Sequence, residues 1–252
     1  MRASFLCLIW LFLGFFSCVN SPTIKPKPDL KNLTPDQIVE KFNLYFDQPV
    51  IIDSSDNVMY PIILENSDDI RENSGYGSGS SYSNTTKYCN ILFYNTNNSE
   101  YHLLTNDKVL IYSFSSEKIN NSTYRNEDFI RSGLTIADNF IYYSIRKTDS
   151  NEDGKINAED ANYLYISNKK GANFKQISPD SFNVVSWKID KRTNKILFSV
   201  SKDTDHDKKF TYNDEHDLYI YDLVTDKPSK QVLTEDYKKQ LKKQFSEQWT
   251  KK

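Results

Sequence analysis

Short apolar runs alternate with polar stretches over most of the chain, and this pattern predicts strands rather than helices. The runs are rich in β-branched and aromatic residues, which favour strands. Clusters of Asn, Asp, Ser and Lys separate them, as is typical of turns. The clearest runs cover residues 91–94, 140–145, 163–166, 196–200 and 218–221. The bulk of the chain is therefore predicted to be all-β.

The predicted strands recur in a repeated unit. Three predicted hairpins cover residues 91–104, 164–177 and 218–233. Each runs into the same four-residue motif: Leu or Ile, then Thr or Ser, then any residue, then Asp. Residues 33–36 show this motif once more, upstream of the hairpins. Repeats built only of strands at such spacing are typical of propeller blades. Three blades are clear, and a fourth is predicted if residues 109–114 pair with residues 129–131. A count of three predicts an open or incomplete propeller, because closed ones have at least about four blades.

Short helices are predicted at both ends of the β region. Thr34 supplies an N-cap, Pro35 the first helical position and Gln37 a reciprocal capping residue. At the other end, the pattern turns helical at Glu235, and residues 237–252 form an amphipathic helix with lysines beside one apolar stripe. We expect the stripe to dock on the β domain, and the alternative is a helix lying on an anionic membrane. The stripe consists of Tyr237, Leu241, Phe245 and Trp249.

Two twelve-residue polar loops lie between predicted strands and carry oxygen-bearing side chains at alternate positions. The first covers residues 149–160, with Gly154 at the sixth position, and the second, residues 203–214, repeats the register 54 residues later. Ca²⁺ takes about six to eight oxygen ligands, which such a loop supplies from its first, third, fifth, seventh, ninth and twelfth positions. The predicted ligands of the first loop are Asp149, Asn151, Asp153, the carbonyl of Lys155, Asn157 and Asp160.

The second loop departs from the first at the glycine position, which Lys208 occupies. A positive φ at Lys208 would strain the backbone by roughly 1–2 kcal/mol. For both loops the alternative is a solvated acidic turn without metal, and that alternative is stronger for the second loop. Ile156 and Phe210, at the eighth positions, are predicted to point into the fold, and His206 and His216 to lie on the surface. The predicted ligands of the second loop are Asp203, Asp205, Asp207, the carbonyl of Lys209, Thr211 and Asp214.

The N-terminal residues predict export. The apolar run 5–16 follows Arg2 and is shorter than the roughly 20 residues of a membrane span. Residues 1–18 are predicted to be a lipoprotein-type signal peptide with Cys18 as the lipidated residue; the alternative is an ordinary signal peptide cut a few residues later. Residues 19–33, with their prolines and lysines, are predicted to be an extended tether. The β domain then covers residues 34–236.

Composition limits the class of binding partner and the kinds of interaction that can stabilise the domain. The formal net charge of −2, from 32 basic and 34 acidic residues, gives no case for nucleic acid. Cys89 is the one thiol after Cys18, so burial and metal rather than a disulfide are expected to stabilise the domain. The Ser-, Gly- and Tyr-rich residues 66–87 lack alternating ligands and are predicted to be a flexible loop without metal, offering a contact surface.

The repeat also resembles a known family. Residues 218–222 followed by Leu233 and Thr234 are similar to the blade pattern "LYIxDxxGxxxxxLTxD" of TolB-like β-propellers, over about residues 48–236. Asp160, in place of a glutamate at the twelfth position, resembles the loops of the dockerin family. The first resemblance implies a non-enzymatic, protein-binding scaffold of the bacterial cell envelope.

The function that the sequence favours is therefore a calcium-binding envelope lipoprotein. It would be anchored to the outer membrane through its lipid and would bind other envelope proteins. Two alternatives are an envelope hydrolase with its site at the mouth of the propeller and a calcium-dependent surface adhesin. The sequence contains no nucleophile elbow, histidine-based metal motif or glycine-rich phosphate loop, which disfavours the enzyme.

Overall fold

The computed structural model describes residues 43–64, 87–116 and 135–250, together with Thr34, Gln37 and Val39. Its architecture is mostly antiparallel β-sheet with one C-terminal helix, which confirms the predicted β-rich class. Within these ranges no helix is long and apolar enough to cross a membrane. The predicted signal peptide, Cys18, the tether, loop residues 66–86 and strand 129–131 all lie outside the described residues.

The first sheet has five strands, of which the two short N-terminal ones share an edge. The strands are β1 (Leu44–Phe46), β2 (Val50–Ile51), β3 (Asn57–Leu64), β4 (Asn90–Asn95) and β5 (Tyr101–Leu103). Both β1 and β2 pair with β3, β1 opposite residues 62–64 and β2 opposite Val58 and Met59. Strands β3, β4 and β5 then follow in antiparallel order.

The second sheet contains four consecutive strands, and a 3-10 turn, Ile136–Asn139, leads into the second of them. Residues 109–114 were the candidate for a separate fourth blade. That prediction is wrong, because Leu110–Ser116 pairs with the next strand and so belongs to this sheet. The strands are β6 (Leu110–Ser116), β7 (Phe140–Arg146), β8 (Tyr163–Asn168) and β9 (Lys175–Gln176).

The third sheet repeats the plan of the second with four antiparallel strands in chain order. A bulge between Val184 and Ser186 interrupts its first strand. The predicted hairpins at residues 91–104, 164–177 and 218–233 are confirmed as the last two strands of the three sheets. The strands are β10 (Phe182–Asp190), β11 (Lys195–Lys202), β12 (Glu215–Asp222) and β13 (Lys230–Gln231).

Two apolar clusters join the sheets in chain order. Between the first and second sheets, Met59, Ile91 and Phe93 pack with residues of β7 and β8 such as Tyr143 and Tyr165. A separate cluster joins the opposite face of the second sheet to the third. Strand β8 is buried along nearly its whole length because sheets cover both of its faces, and a nearly continuous apolar run suits such a strand.

The C-terminal helix α1 (Glu235–Thr250) docks mainly through a lysine. Lys238 is buried, and its Nζ donates to Asp217 Oδ1 (2.7 Å) and Glu215 Oε1 (3.2 Å), both on β12. The expected docking of the aromatic stripe is wrong for Tyr237, Phe245 and Trp249, all of which are exposed. Only Leu241 of the stripe is half-buried. A buried carboxylate at Asp217 requires a cation, and that requirement places the helix.

The N-terminal helix is described at only three positions. The Thr34 N–H donates to Gln37 Oε1 (3.0 Å), and the Gln37 N–H donates to Thr34 Oγ1 (3.4 Å). These reciprocal hydrogen bonds confirm the predicted capping box. Gln37 and Val39 are helical, and the other residues of this predicted helix lie outside the described ones.

Candidate metal centre

Both candidate metal loops connect the second and third strands of their sheets. The first loop leaves β7 and returns on β8, and the second leaves β11 and returns on β12. Because each pair of strands is antiparallel, the loop ends are held at a fixed register. The prediction that these loops join strands rather than helices is confirmed.

The twelfth residue organises the first loop. Asp160 is almost fully buried, and its Oδ1 accepts hydrogen bonds from the Ser150 N–H (2.6 Å) and hydroxyl (3.2 Å). Its Oδ2 accepts from the Asn157 N–H at 2.7 Å. One carboxylate therefore ties the beginning of the loop to its end.

The second loop repeats these bonds with different residue types. Asp214 Oδ1 accepts from the Thr204 N–H (3.0 Å) and hydroxyl (3.1 Å), and Oδ2 accepts from the Thr211 N–H (2.7 Å). The N–H groups of Thr211 and Thr204 hold the pKa of Asp214 below its ordinary value. Asp214 is therefore an anion at neutral pH. The same frame in two loops of different composition indicates a shared architecture rather than two unrelated turns.

The sixth position takes a left-handed conformation in both loops. Gly154 has φ +86° and Lys208 has φ +63°, so the backbone strain predicted for Lys208 is present. The Gly154 N–H donates to Asp149 Oδ2 (2.7 Å), and the Lys208 N–H donates to Asp203 Oδ2 (3.1 Å). In both loops the first carboxylate therefore caps the tight turn.

The eighth residues point inward, as predicted. Ile156 is buried, and Phe210 is half-buried against the cluster between the first and second sheets. His206 and His216 are exposed, which confirms them as surface residues.

Three carboxylates of the second loop converge. Ligand oxygens of Asp203, Asp205 and Asp214 all lie within 4.8 Å of one another, and no other such group occurs among the described residues. The second oxygen of Asp203, Oδ1, is buried without a hydrogen-bond partner. A buried carboxylate oxygen without a partner is costly, and a bound cation removes the cost. Asp207 lies outside the group and accepts from the Lys209 N–H instead (2.8 Å).

The carboxylates of the first loop form no comparable group within the described residues. Each of them is already bonded inside the loop: Asp149 accepts from Asp153 and Gly154 N–H groups, and Asp153 accepts from the Lys155 N–H and the Asn157 amide. The glycine made the first loop the stronger candidate by sequence. The geometry places the acids together in the second loop.

The other predicted ligands differ in their burial and in the hydrogen bonds they make within the loops. Asn151 Oδ1 accepts from the Asp153 N–H (3.1 Å), and Asp205 Oδ1 accepts from the Asp207 N–H (3.2 Å). Asn157 is buried, and Thr211 is half-buried. Lys155 and Lys209 occupy the seventh positions, half-buried and exposed respectively.

Two contacts at the loops were not found from the sequence. Lys208 forms an ion pair with Glu152, so the second loop touches the first. Arg146 Nε donates to the Asp160 carbonyl (2.9 Å), and Nη2 donates to the Ala158 carbonyl (3.0 Å), which fixes the end of the first loop. Arg146 is the last residue of β7, and no motif marks it. A cleft of about 330 Å³ lies between the loops and includes Arg146, Lys209 and Thr211 in its walls.

A hydroxyl at position two of each twelve-residue loop was also missed, although both loops carry a hydroxyl residue there in the sequence. Ser150 and Thr204 occupy equivalent positions, and their hydroxyls accept hydrogen bonds from the N–H groups of Ala161 (2.9 Å) and Glu215 (3.3 Å). Comparing the two loops position by position reveals the shared hydroxyl.

A scan against models of protein families finds no match for this chain, and no curated protein matches its sequence. The resemblances to TolB-like propellers and to dockerin loops therefore stay predictions. The function has to be argued from the loops and the sheets themselves.

Proposed function

We propose that the protein is a calcium-binding, non-enzymatic scaffold module of the bacterial cell envelope. The observation that carries the proposal is the convergence of Asp203, Asp205 and Asp214, together with a buried oxygen of Asp203 that has no hydrogen-bond partner. Ca²⁺ bound there orders the second loop and, through its contact with the first, one end of the domain.

The chemistry of the second loop fits a hard cation. All its candidate side-chain ligands are oxygens, and carboxylates dominate them. Ca²⁺ binds oxygens at about 2.3–2.6 Å, so ligands on opposite sides of one ion lie about 4.6–5.2 Å apart. One oxygen of each of the three carboxylates lies within 4.8 Å of the others, close enough for all three to bind one ion. Metal binding also turns the mutual repulsion of these acids into attraction.

The first loop is the second candidate site, and its support is the shared hydrogen-bond frame. The ligand positions of the two loops align in sequence. Both loops also have a carboxylate at position twelve, a left-handed residue at position six and an inward-pointing residue at position eight. Ca²⁺ in this loop would replace some bonds that Asp149 and Asp153 now make within it. That exchange predicts weaker binding than in the second loop.

The three sheets support an architecture of propeller-like blades. Each sheet is a run of consecutive antiparallel strands ending in a short hairpin, and each packs on the next. Such a stack presents its interstrand loops along a rim. In this arrangement calcium shapes the rim, and the rim binds a protein partner.

The place of the protein in the cell rests on the sequence. We infer that residues 1–18 direct export, that Cys18 carries a lipid and that residues 19–33 hold the domain away from the outer membrane. The partners are then other envelope proteins.

Equilibrium dialysis of labelled Ca²⁺ against the chain from residue 20 onward tests the proposal. We expect the unaltered chain to bind two Ca²⁺ ions, and the variants Asp205→Asn and Asp149→Ala to bind one Ca²⁺ ion per chain. Glu159→Gln is the matched control, because Glu159 is an exposed acid of the first loop at a position without a ligand role. Unchanged binding in both ligand variants, or equal loss in the control, would contradict the assignment.

A further inference from the structure

Helix α1 leaves the β domain after its first two turns. Lys238 is buried against β12 and Leu241 is half-buried, but every residue from Lys242 to Thr250 is exposed. A helix that lies on a domain buries a residue in about every turn, because its apolar stripe faces the core. From Lys243 onward, no residue of α1 forms a hydrogen bond or ion pair with a described residue outside the helix. Residues 243–250 therefore project beyond the sheet, and we call them the free end of α1.

The free end carries two large aromatic side chains in solvent. Phe245 is 50% exposed and Trp249 is 85% exposed. They lie on one side of the helix, because residues four apart in an α-helix are separated by only about 40° around its axis, and Trp249 lies about 12 Å along the axis beyond Leu241. Trp is on average among the well-buried residue types. Two exposed aromatic side chains in one line therefore indicate an interaction surface.

The segment that contains the free end is strongly basic. Residues 239–252 carry five lysines and one acid, Glu247, which is a net charge of +4 in a chain whose total is −2. In the described part of the chain these charges are poorly neutralised: Lys239 and Lys242 each lie 4.0 Å from an acid, and Lys243 has no ion-pair partner. Such a cluster of positive charge favours an anionic partner. The five lysines are Lys239, Lys242, Lys243, Lys251 and Lys252.

We propose that the free end of α1 binds the surface of an anionic phospholipid bilayer. Phe245 and Trp249 enter the boundary between headgroups and acyl chains, where aromatic side chains are favoured and Trp finds both an apolar and a polar environment. The lysines extend their apolar stems along this boundary and place their ammonium groups on lipid phosphates. The inference goes beyond the proposed calcium scaffold and does not depend on metal in either loop.

Charge and spacing disfavour another helix as the partner. A second copy of α1 would bring two segments of net charge +4 together. The apolar residues recur strictly every four positions, so the stripe winds around the helix by about 40° per step, whereas a coiled-coil seam alternates steps of three and four. A lipid surface requires no such seam and supplies the opposite charge. The stripe is the one formed by Tyr237, Leu241, Phe245 and Trp249.

The docked turns hold the free end in a helical form before it meets a bilayer. Lys238 Nζ donates to Asp217 Oδ1 (2.7 Å) and Glu215 Oε1 (3.2 Å), which fixes the start of α1 on β12. Isolated helices of this length are only marginally stable in water, because the first turn is costly to form. Here that turn is already formed, so binding to lipid does not have to order the whole helix.

Co-sedimentation of the chain from residue 20 onward with lipid vesicles tests this inference. This chain keeps every described residue and lacks Cys18, so no lipid anchor contributes. A chelator is present throughout, so that Ca²⁺ cannot bridge the acidic loops to the lipid. We expect binding to vesicles of phosphatidylcholine with phosphatidylglycerol at least about tenfold stronger than to phosphatidylcholine alone, and weaker as salt is raised.

Variants of the free end locate the contact. Changing both Phe245→Ser and Trp249→Ser should weaken binding to the anionic vesicles at least about tenfold, and Lys243→Gln should weaken it about fivefold. The matched controls are Tyr101→Ser, at an exposed aromatic residue of β5, and Lys170→Gln, at an exposed lysine after β8. Both controls should bind like the parent chain. Circular dichroism shows whether each variant is folded.

Tryptophan fluorescence reports insertion directly. Trp187→Phe leaves Trp249 as the one tryptophan of this chain, and its emission should shift to shorter wavelength on anionic vesicles. Absence of binding to these vesicles would overturn the proposal, as would equal binding by the variant that lacks Phe245 and Trp249. Binding that appears only when Ca²⁺ is added would also overturn it and would place the contact on the acidic loops. A parent chain that is dimeric until Trp249 is changed would assign the stripe to a second copy instead.

Discussion

Lys208 of the second loop forms an ion pair with Glu152 of the first, so the two candidate metal sites touch through their own loop residues. Both residues have a positive φ and both belong to the tight part of their loops. A change in the conformation of one loop therefore reaches the other directly. Ca²⁺ binding at the two sites should be coupled.

The size of that coupling is measurable by a double-mutant cycle. The ion pair is exposed, and such pairs contribute about 0.2–1 kcal/mol. Disabling the second loop by Asp203→Ala should weaken Ca²⁺ binding at the first loop by up to about fivefold. In a Glu152→Gln background the same change should leave the first loop unaffected. Equal weakening in both backgrounds would show that the coupling takes another route.

The sixth loop position offers a pair of opposite substitutions. Lys208→Gly removes the strain of a non-glycine residue in the left-handed conformation and should tighten Ca²⁺ binding at the second loop. Loss of the ion pair with Glu152 should offset part of this gain in affinity. Gly154→Ala should weaken Ca²⁺ binding at the first loop by about 1 kcal/mol. The cost comes from the φ of +86° alone, because no atom would lie within 4 Å of the added methyl group. Calorimetric affinities of both variants test this. Weaker binding in both would mean that the side chain of Lys208, not its backbone, matters.

Gly171 should be far more sensitive than Gly154. A Cβ there would lie 2.6 Å from the ring of Phe93, a fully buried residue of the first sheet, and φ is +76°. Gly171→Ala should therefore lower the free energy of unfolding by about 3 kcal/mol or more, since overpacking adds to backbone strain. Chemical denaturation measures this, with Gly154→Ala in the absence of Ca²⁺ as the comparison. Similar stability of the two variants would contradict the packing of this turn on the first sheet.

Asp217 should control both the docking of α1 and the acid stability of the domain. Burial raises its pKa, but the ion pairs with Lys202 and Lys238 more than offset burial, and the pKa lies below its ordinary value. A lowered pKa stabilises the folded state above the unfolded value of about 3.9, and that stability is lost as the pH falls through the folded pKa.

Asp217→Asn should consequently lower the free energy of unfolding at pH 7 by about 3 kcal/mol, because it leaves buried lysine charge without its partner. The variant should also lose less stability than the parent between pH 5 and pH 2. Asp236→Asn, at an exposed residue of the same helix, should cost less than about 1 kcal/mol. Parallel pH profiles for Asp217→Asn and the parent would exclude this role for Asp217.

The strands were predictable because period and composition reflect burial directly. The β8 run is apolar throughout since both faces are covered, and the loop register follows from ligand spacing in the sequence. The pairing of Leu110–Ser116 with β7 was missed because residues 117–139 separate the two strands, and strand pairing over that distance leaves no local signal.

The sequence did not predict how α1 docks or which of the two loops is the stronger metal candidate, and the reason is a different one. Both depend on where single polar groups lie: Lys238 Nζ beside Asp217, and the Asp203 carboxylate near the carboxylates of Asp205 and Asp214. Hydrophobic periodicity carries no information on such atoms, and the stripe of Phe245 and Trp249 suggested the wrong docking face. Only the backbone frame of the loops fixes where the carboxylates lie.

Calorimetric titration of Ca²⁺ into the chelator-treated chain from residue 20 onward, with Mg²⁺ as competitor, tests the central claim most directly. We expect two binding events that Mg²⁺ does not abolish. Thermal unfolding should shift upward by several degrees, because free ligand at about 100 times its dissociation constant stabilises a site by about 2.7 kcal/mol. Absence of binding heat together with an unchanged melting temperature would contradict the account and reduce both loops to acidic turns.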